Sequence, residues 1–117
     1  MSRIPVSVVI IAKNEEACIS ECLASVAGWA DEIIVVDDFS TDKTVEVIRR
    51  FPATVLQRKM ENEGRHRNWA YAQARNSWVL SLDADEQATP ELKDEIDQVL
   101  LAATCQAFAL PIKTYIG

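Results

Sequence analysis

Residues 79–92 read VLSLDADEQATPEL, an apolar run that ends on two aspartates separated by one residue. The run is short and continuously apolar, which is typical of a strand that is buried on both faces. Thr89-Pro90-Glu91 then supplies a capping residue, a proline at the first helical position and an acid in the first turn, which together predict a helix. A buried strand that leads into a helix indicates an α/β fold, and the acids between the two elements require a physical reason.

The rest of the chain repeats this alternation of strand and helix. Apolar runs predict buried strands at Val6–Ala12, Glu32–Asp38, Ala53–Gln57, Ser77–Asp83 and Ala107–Ile112. Segments with apolar residues at helical spacing separate these runs. The pattern predicts one α/β domain over residues 1–117, with three layers and a mainly parallel sheet flanked by helices.

Polar residues predict where the helices begin and end. Asn14 is expected to cap the first helix, and Ser40 or Thr41 the second. A third helix is expected over Arg65–Arg75, closed by Asn76 in the left-handed conformation. Each of these polar residues is thus predicted to begin or end the helix next to it in the sequence.

Composition excludes several classes of function. The net charge is -6, whereas non-specific nucleic-acid binding needs basic patches. The three glycines form neither a G-x-G-x-x-G nor a Walker A loop, so a nicotinamide dehydrogenase or a P-loop NTPase is not indicated. The three cysteines contain no CxxC pair, which indicates small buried side chains in a reducing compartment rather than disulfides or a zinc site.

The sequence also bears on cellular location. No segment approaches the roughly 18 apolar residues that a membrane span needs. The N-terminal residues lack the long apolar region and the cleavage site of a signal peptide. We therefore expect a cytoplasmic protein without a transmembrane segment, and docking on the inner membrane face stays open as an alternative.

Acidic residues follow two of the predicted strands. Asp37 and Asp38 end the second strand, and Asp83 and Asp85 end the fourth. Parallel strands bring their carboxyl ends to one edge of the sheet, where ligands of open α/β sheets bind, so four carboxylates should crowd one rim. Such acids suit a hard divalent ion, Mg²⁺ or Mn²⁺, shared with substrate phosphates. Solvated turns are the ordinary alternative for each pair taken alone.

Four motifs resemble the family 2 glycosyltransferases, which have the nucleotide-sugar-binding fold called GT-A. They occur in the family's order and at its spacing, and they read SVVIIAKNEE, ADEIIVVDDFSTDKT, RNWAYAQA and WVLSLDADEQATPEL. The sequence is most similar to the bacterial branch of lipopolysaccharide core glycosyltransferases. The resemblance covers about Val6 to Pro111, the N-terminal half of a typical member, and so implies a GT-A domain truncated at its C-terminus.

The resemblance implies a role for each matching position. The donor would be a nucleoside diphosphate sugar such as a uridine one, and the acceptor an unidentified glycan or lipid-linked group, with a cell-envelope glycan as one candidate. Asp38 would bond the base, Asp37 would support it, and Arg67 would lie near the phosphates or the base. Asp83 would contact the ribose or the metal, and Asp85 would be the direct metal ligand. The loop after the first strand would border the nucleotide through Ala12, Asn14 and Glu15.

Some positions depart from the family pattern or leave their role open. Phe39 stands where glycine or asparagine is frequent in the family.

Family members carry their catalytic general base in the half beyond this chain, so transfer with inversion is expected of the longer protein. A non-catalytic nucleotide-sugar-binding module is the alternative. Glu86 is either an orienting residue of the metal loop, a surface acid or a candidate base, and His66 is either a phosphate contact or an exposed loop residue.

One expectation concerns assembly. A sheet that ends on an exposed apolar strand tends to pair with another chain. The predicted strand Ala107–Ile112 would form such an edge, so we expect self-association.

Overall fold

The computed structural model describes residues 4–106 and 114–116, and strands and helices alternate along them. The elements are β1 Ile4–Ala12, α1 Ile19–Ala27, β2 Ala30–Asp37, α2 Thr44–Ile48, β3 Thr54–Gln57, α3 Glu63–Ala72, β4 Trp78–Asp83, α4 Pro90–Gln106 and β5 Thr114–Ile116. The predicted alternation is therefore confirmed over the first four strands, with boundaries that move by one or two residues. The predicted strand Ala107–Ile112 lies outside the described residues, and the self-association expected from it stays a prediction.

The strands form one sheet in the order β3-β2-β1-β4-β5. Every pairing among the described strands is parallel. The central strand, β1, pairs with β2 on one side and with β4 on the other, although β4 is far from it in sequence. The chain thus reverses its direction of travel across the sheet at β1, and ligands of open α/β sheets bind beside such a reversal, at the carboxyl ends of the strands.

The two faces of the sheet carry separate apolar clusters. Side chains alternate along β1, so Val8 and Ile10 point to one face and Val9 points to the other. The first face packs against α1, α2 and α4, and the second packs against α3. The sheet therefore lies between two helical layers, as the continuous apolar runs predict for strands that are buried on both sides.

Asn14 does not cap the first helix, so that prediction is wrong. Helix α1 begins at Ile19, and its N-cap residue, Cys18, makes no side-chain capping bond. Asn14 has φ 53°, and its Oδ1 accepts a hydrogen bond from the backbone N–H of Thr41 at 2.8 Å. The asparagine thus links the loop after β1 to the loop after β2, and this long-range bond replaces the local cap.

Ser40 and Thr41 do not cap the second helix either. Helix α2 begins at Thr44, and its N-cap residue, Lys43, has no side-chain capping bond. The hydroxyl of Ser40 instead donates to the carboxylate of Asp37. The predicted cap residues are therefore used to build the loop rather than to begin the helix.

The third helix begins earlier than predicted and ends without the predicted left-handed residue. Asn62 caps α3, because its Oδ1 accepts from the backbone N–H of Arg65 at 3.1 Å. Among the described residues other than glycine, only Asn14 and Phe39 have positive φ, so Asn76 is not left-handed. Its Nδ2 donates to Ser7 Oγ at 3.0 Å and to Asp31 Oδ2 at 2.9 Å.

The predicted start of the last helix is confirmed. Helix α4 begins at Pro90, and Thr89 Oγ1 accepts from the backbone N–H of Leu92 at 3.1 Å. Within the described parts of the chain, no helix combines the length and the apolar character that crossing a membrane would need.

Candidate functional site

The predicted acids gather at the carboxyl edge of the sheet, on both sides of β1. Asp37 pairs in register with Ala12 at the end of β1, and Asp83 pairs with Ile11 on the opposite side. Neighbouring strands are about 4.8 Å apart, so the backbones at Asp37 and Asp83 are separated by about 10 Å across β1. The predicted convergence on one rim is thus confirmed in the fold.

Asp37 builds the loop that follows β2. Its side chain is fully buried, and its carboxylate accepts hydrogen bonds from the backbone N–H of Ser40 at 3.0 Å and from the Ser40 hydroxyl. Gln57 Nε2 at the end of β3 contacts the same carboxylate at 3.4 Å. These bonds hold the tight turn in which Phe39, the residue after Asp38, has φ 47°.

Asp38 is a buried carboxylate at the rim, only 7% exposed. Its backbone N–H donates to the Ala12 carbonyl at 2.9 Å, which ties it to the end of β1. Its Oδ1 accepts from the backbone N–H of Met60 at 3.2 Å, and its Oδ2 lies 3.8 Å from Lys13 Nζ. Lys13 is 61% exposed, so this ion pair is weak. The carboxylate is therefore fixed in place and keeps acceptor capacity for a ligand.

The loop after β1 is cross-linked to the loop after β2. The backbone N–H groups of Asn14 and Glu15 donate to Ser40 Oγ and Thr44 Oγ1, each at 2.8 Å. The next N–H, of Glu16, donates to Asp42 Oδ2 at 3.3 Å. Hydrogen bonds, chiefly from the Thr44 hydroxyl, lower the pKa of Asp42. These hydrogen bonds thus hold together the two loops that carry the predicted nucleotide contacts.

Asp83 and Asp85 lie on the exposed side of the rim, with the buried Ala84 between them. The side chain of Asp83 is 59% exposed. Glu86 closes the turn, because its Oε1 accepts from the Asp83 N–H at 2.8 Å and its own N–H donates to the Asp83 carbonyl at 2.9 Å. Of the three alternatives for Glu86, this geometry favours the residue that orients the loop.

The acids also act on a thiol beneath them. Cys22 on α1 lies under the turn, with its Sγ 3.6 Å from the Asp83 carbonyl. Burial raises the pKa of Cys22 to about 12, with further contributions from Glu86, Asp85 and Asp83. The thiol therefore stays protonated, in agreement with the predicted role as a small buried side chain.

Arg67 connects α3 to the exposed acids. Its Nη2 lies 3.2 Å from Asp83 Oδ1, its Nη1 3.4 Å from Ser81 Oγ and its Nε 3.3 Å from Glu63 Oε1. Burial lowers the pKa of Arg67, but the hydrogen bonds with Tyr71, Asp83 and Glu63 raise it by more. The guanidinium is thus a fixed cation beside Asp83, the acid predicted to contact the ribose or the metal.

The donor set fits a divalent ion that is shared with a ligand. In residues 4–106 and 114–116, no three histidine, cysteine or acidic side chains converge into a group that could hold a metal on its own. Asp83 and Asp85 are exposed oxygen donors in one turn. A Mg²⁺ site commonly uses one or two carboxylates and completes its octahedron with water and phosphate oxygens, so these two aspartates fit such an ion.

The environment of His66 differs from that of an exposed loop. Of the two predicted alternatives, the exposed loop residue is wrong, because His66 lies in α3 and is 1% exposed. The ring packs where α3 meets the end of β3, beside Arg58, whose guanidinium carbon lies 4.9 Å from the centre of the Trp69 ring. The spacing of His66, Ala70 and Ala74 by four residues was the available signal, since all three share the buried face.

The parallel sheet with acids at its carboxyl edge defines an α/β protein of the kind that binds its ligands at that edge. The sequence model described as Glycosyl transferase family 2 matches residues 7–102. The chain therefore belongs to glycosyl transferase family 2, and the predicted resemblance is confirmed.

Two relatives show how much of a longer protein this sequence represents. An uncharacterized glycosyltransferase of Rickettsia typhi is 40% identical over 94 residues, which cover 80% of this chain and 32% of the relative. The lipopolysaccharide core biosynthesis glycosyltransferase LpsC of Rhizobium meliloti is 28% identical over 106 residues, covering 86% of this chain and 39% of LpsC. The chain thus spans about a third of the length of the relatives it matches.

Two solved structures share the fold. TarS of S. aureus superposes with a TM-score of 0.73 at 25% identity, covering 92% of this chain and 38% of TarS. Glucosyl-3-phosphoglycerate synthase of Mycobacterium tuberculosis, in complex with Mn²⁺, UDP and glucosyl-3-phosphoglycerate, gives a TM-score of 0.57 at 27% identity and covers 70% of this chain and 35% of the synthase. The predicted GT-A fold is confirmed, as is its truncation relative to the homologues.

Proposed function

We propose that this chain binds a nucleoside diphosphate sugar, a uridine one, and forms the donor-binding part of a metal-dependent glycosyltransferase. The observation that carries the proposal is the pair of acidic positions on either side of the end of β1. One is the buried, fixed carboxylate of Asp38, and the other is the exposed pair Asp83 and Asp85. A uridine diphosphate needs a hydrogen-bond acceptor for the base N–H at one end, which Asp38 would supply. At the other end the diphosphate needs a cation, which Asp83 and Asp85 would hold.

The base and the nucleoside would lie against the braced loops. Asp38 accepts the N–H of the base, and Asp37 keeps Asp38 in position through its bonds to Ser40. Ala12, Asn14 and Glu15 border the nucleotide from the loop after β1. Support for this assignment comes from the hydrogen bonds that join both loops, since a preorganised pocket loses less entropy when it binds a ligand.

The diphosphate would lie at the exposed end of β4. Asp83 and Asp85 would hold Mg²⁺ or Mn²⁺, which supplies charge neutralisation of the diphosphate when it is bound. Arg67 adds a second positive charge beside Asp83. The complex of the mycobacterial synthase with Mn²⁺ and UDP supports both the class of metal and the base.

The reaction proposed for the whole protein is transfer with inversion. The acceptor hydroxyl oxygen forms a bond to the anomeric carbon, the bond from that carbon to the diphosphate oxygen breaks, and the electron pair leaves with the nucleotide. A general base must take the hydroxyl proton. Glu86 uses one carboxylate oxygen to hold the backbone N–H of Asp83, and the family resemblance implies a base beyond the part of family members that this chain covers, so the base is expected there.

The acceptor class is supported by a relative, and a binding module without turnover is the alternative function. The printed name of LpsC supports an envelope glycan as the acceptor class. A module that binds the nucleotide sugar without turning it over uses the same donor site. Release of free sugar from UDP-sugars by the whole protein in the presence of Mn²⁺ separates the two, because a binding module releases none.

Calorimetry with UDP, GDP and ADP, each with and without Mn²⁺, tests the donor site. We expect UDP to bind most tightly and its affinity to increase when Mn²⁺ is added. Equal affinities for the three nucleotides would contradict the uridine assignment, and an affinity that ignores Mn²⁺ would contradict the metal assignment.

A further inference from the structure

A small polar pocket lies where the end of β3 meets the beginning of α3. Its volume is about 90 Å³, and its lining residues are Arg58, Lys59, Glu61, Asn62, Arg65 and His66. None of these six residues belongs to the proposed contacts with the nucleotide or the metal.

The pocket contains buried polar atoms that make no hydrogen bond within the described structure. His66 is 1% exposed, yet neither Nδ1 nor Nε2 has a partner. Arg58 Nη1 is likewise buried without a partner, although its guanidinium is stacked on the ring of Trp69. Buried donors and acceptors in native proteins are nearly always bonded to protein, ordered water or a ligand, so the pocket offers these atoms to water or to a bound group.

The charge of the pocket indicates which kind of group fits. Arg58, Lys59 and Arg65 bring three positive charges, against the one carboxylate of Glu61. The first turn of α3, a ten-residue helix, points its N-terminus at the same place and adds the positive end of its dipole. Cations, a helix N-terminus and unbonded N–H donors together favour an anion.

The size of the pocket is compatible with a small anion. A volume of about 90 Å³ is several times the ~10–15 Å³ that a single buried water needs. A phosphate or carboxylate group therefore fits this space.

We propose that this pocket is an oxyanion subsite, which binds the phosphate or carboxylate of a ligand through Arg58, Arg65 and one ring N–H of His66. Its lining residues include neither Asp83 nor Asp85, and it lies on the Asp38 side of the rim, since the Asp38 charge acts on His66. An oxyanion bound there is additional to the proposed contacts with the base and the diphosphate. The shared chemistry is the oxyanion itself, which is either a free ion or a substituent of a sugar.

NMR titration of the chain with inorganic phosphate, without metal, tests the subsite. His66 is the single histidine in the sequence, so its ring signals need no assignment by mutation. We expect a saturable shift of these signals and a rise in the pKa of His66, because a bound anion stabilises the imidazolium. Burial and Arg58 act in the opposite direction in the free chain.

Two variants distinguish the subsite from general attraction of anions. Arg65→Gln removes an exposed pocket cation without touching the core and should weaken phosphate binding about tenfold, as expected for loss of one charged hydrogen bond. Arg50→Gln removes an equal charge before β3, at the opposite end of that strand, and should leave the affinity unchanged. Equal affinities of the two variants would overturn the proposal.

Three further probes identify the source of the anion. Tighter binding of glucose 6-phosphate than of inorganic phosphate supports a sugar substituent, and the reverse supports a free ion. Glucose should produce no shift. A shift of the His66 signals with uridine, and none with either phosphate, would overturn the proposal and assign the pocket to the base, while leaving donor binding intact.

Discussion

The guanidinium of Arg67 lies 3.2 Å from Asp83, and this ion pair connects α3 to the exposed end of β4. Both side chains are partly exposed, so the pair contributes less than about 1 kcal/mol to the free energy of unfolding. The ion pair matters more for position than for stability, because it holds a permanent cation next to the carboxylate that is proposed to contact the ribose or the metal.

Arg67→Gln should therefore reduce ligand affinity more than stability. A hydrogen bond to a charged group is worth about 1.5–3 kcal/mol, so we expect the affinity for UDP with Mn²⁺ to fall by about 10- to 100-fold in calorimetry. Arg75→Gln is the matched control, because Arg75 pairs with Asp31 at the opposite end of the sheet. An affinity that is equal in the two variants would remove Arg67 from the donor site.

Asp85→Ala tests the metal ligand. Asp85 is exposed, so its replacement should change the free energy of unfolding by less than about 0.5 kcal/mol. We expect the variant to lose the Mn²⁺-dependent part of UDP binding. Asp94→Ala removes an exposed acid from α4 and should bind like the wild type. Undiminished Mn²⁺-dependent binding by the Asp85 variant would show that this residue is not the ligand.

Asp37→Ala tests whether the loop after β2 depends on its buried carboxylate. The substitution leaves the Ser40 donors without their acceptor, and we expect a loss of about 2–3 kcal/mol in urea unfolding. Asp37→Asn keeps an acceptor oxygen and should lose less. If the alanine variant unfolds at the same urea concentration as the wild type, the bonds to Ser40 do not stabilise the fold.

Phe39 has φ 47° and is 55% exposed, so it has the strain of a left-handed residue without the compensation of core packing. Asparagine adopts this conformation more easily than other side chains do. Phe39→Asn should therefore raise the free energy of unfolding by about 0.5–1 kcal/mol, a part of the ~1–2 kcal/mol left-handed penalty. Phe39→Ala keeps the strain and should give no gain. Equal stability of the two variants would mean that the conformation of Phe39 carries no strain.

The fold could be predicted from sequence because buried parallel strands leave a strong local signal. Continuous apolar runs identified four strands, and parallel pairing then required Asp37 and Asp83 to share an edge. That deduction needs no knowledge of side-chain contacts, which is why the location of the candidate site could be predicted from the sequence.

The loops were less predictable because their side chains bond across the fold. Asn14 and Ser40 are residue types that commonly cap helices, but Asn14 Oδ1 accepts from the backbone N–H of Thr41 and Ser40 Oγ accepts from the backbone N–H of Asn14, so each bonds to another loop. Local rules cannot rank a cap against a partner that is more than twenty residues away. His66 was missed for a related reason, since only packing against the sheet decides which face of α3 is buried.

His66 makes the stability of the chain depend on pH. Burial, and next Arg58, lower the pKa of His66 below its ordinary 6.5, with Arg67 acting in the same direction and Asp38 opposing them. The unfolded chain therefore binds more protons in the window below pH 6.5, and the free energy of unfolding falls as the pH falls from 6.5 through the folded pKa. His66→Gln should remove this part of the slope.

Urea unfolding at several pH values in a phosphate-free buffer measures the slope for both proteins. Their difference should appear between about pH 6.5 and 5, above the range in which most carboxylates titrate. An NMR titration of the histidine signal supplies the folded pKa directly. A folded pKa above 6.5 would show that another group stabilises the charged ring. Equal slopes for wild type and variant would show that folding does not shift the pKa of His66, and either result would contradict the prediction.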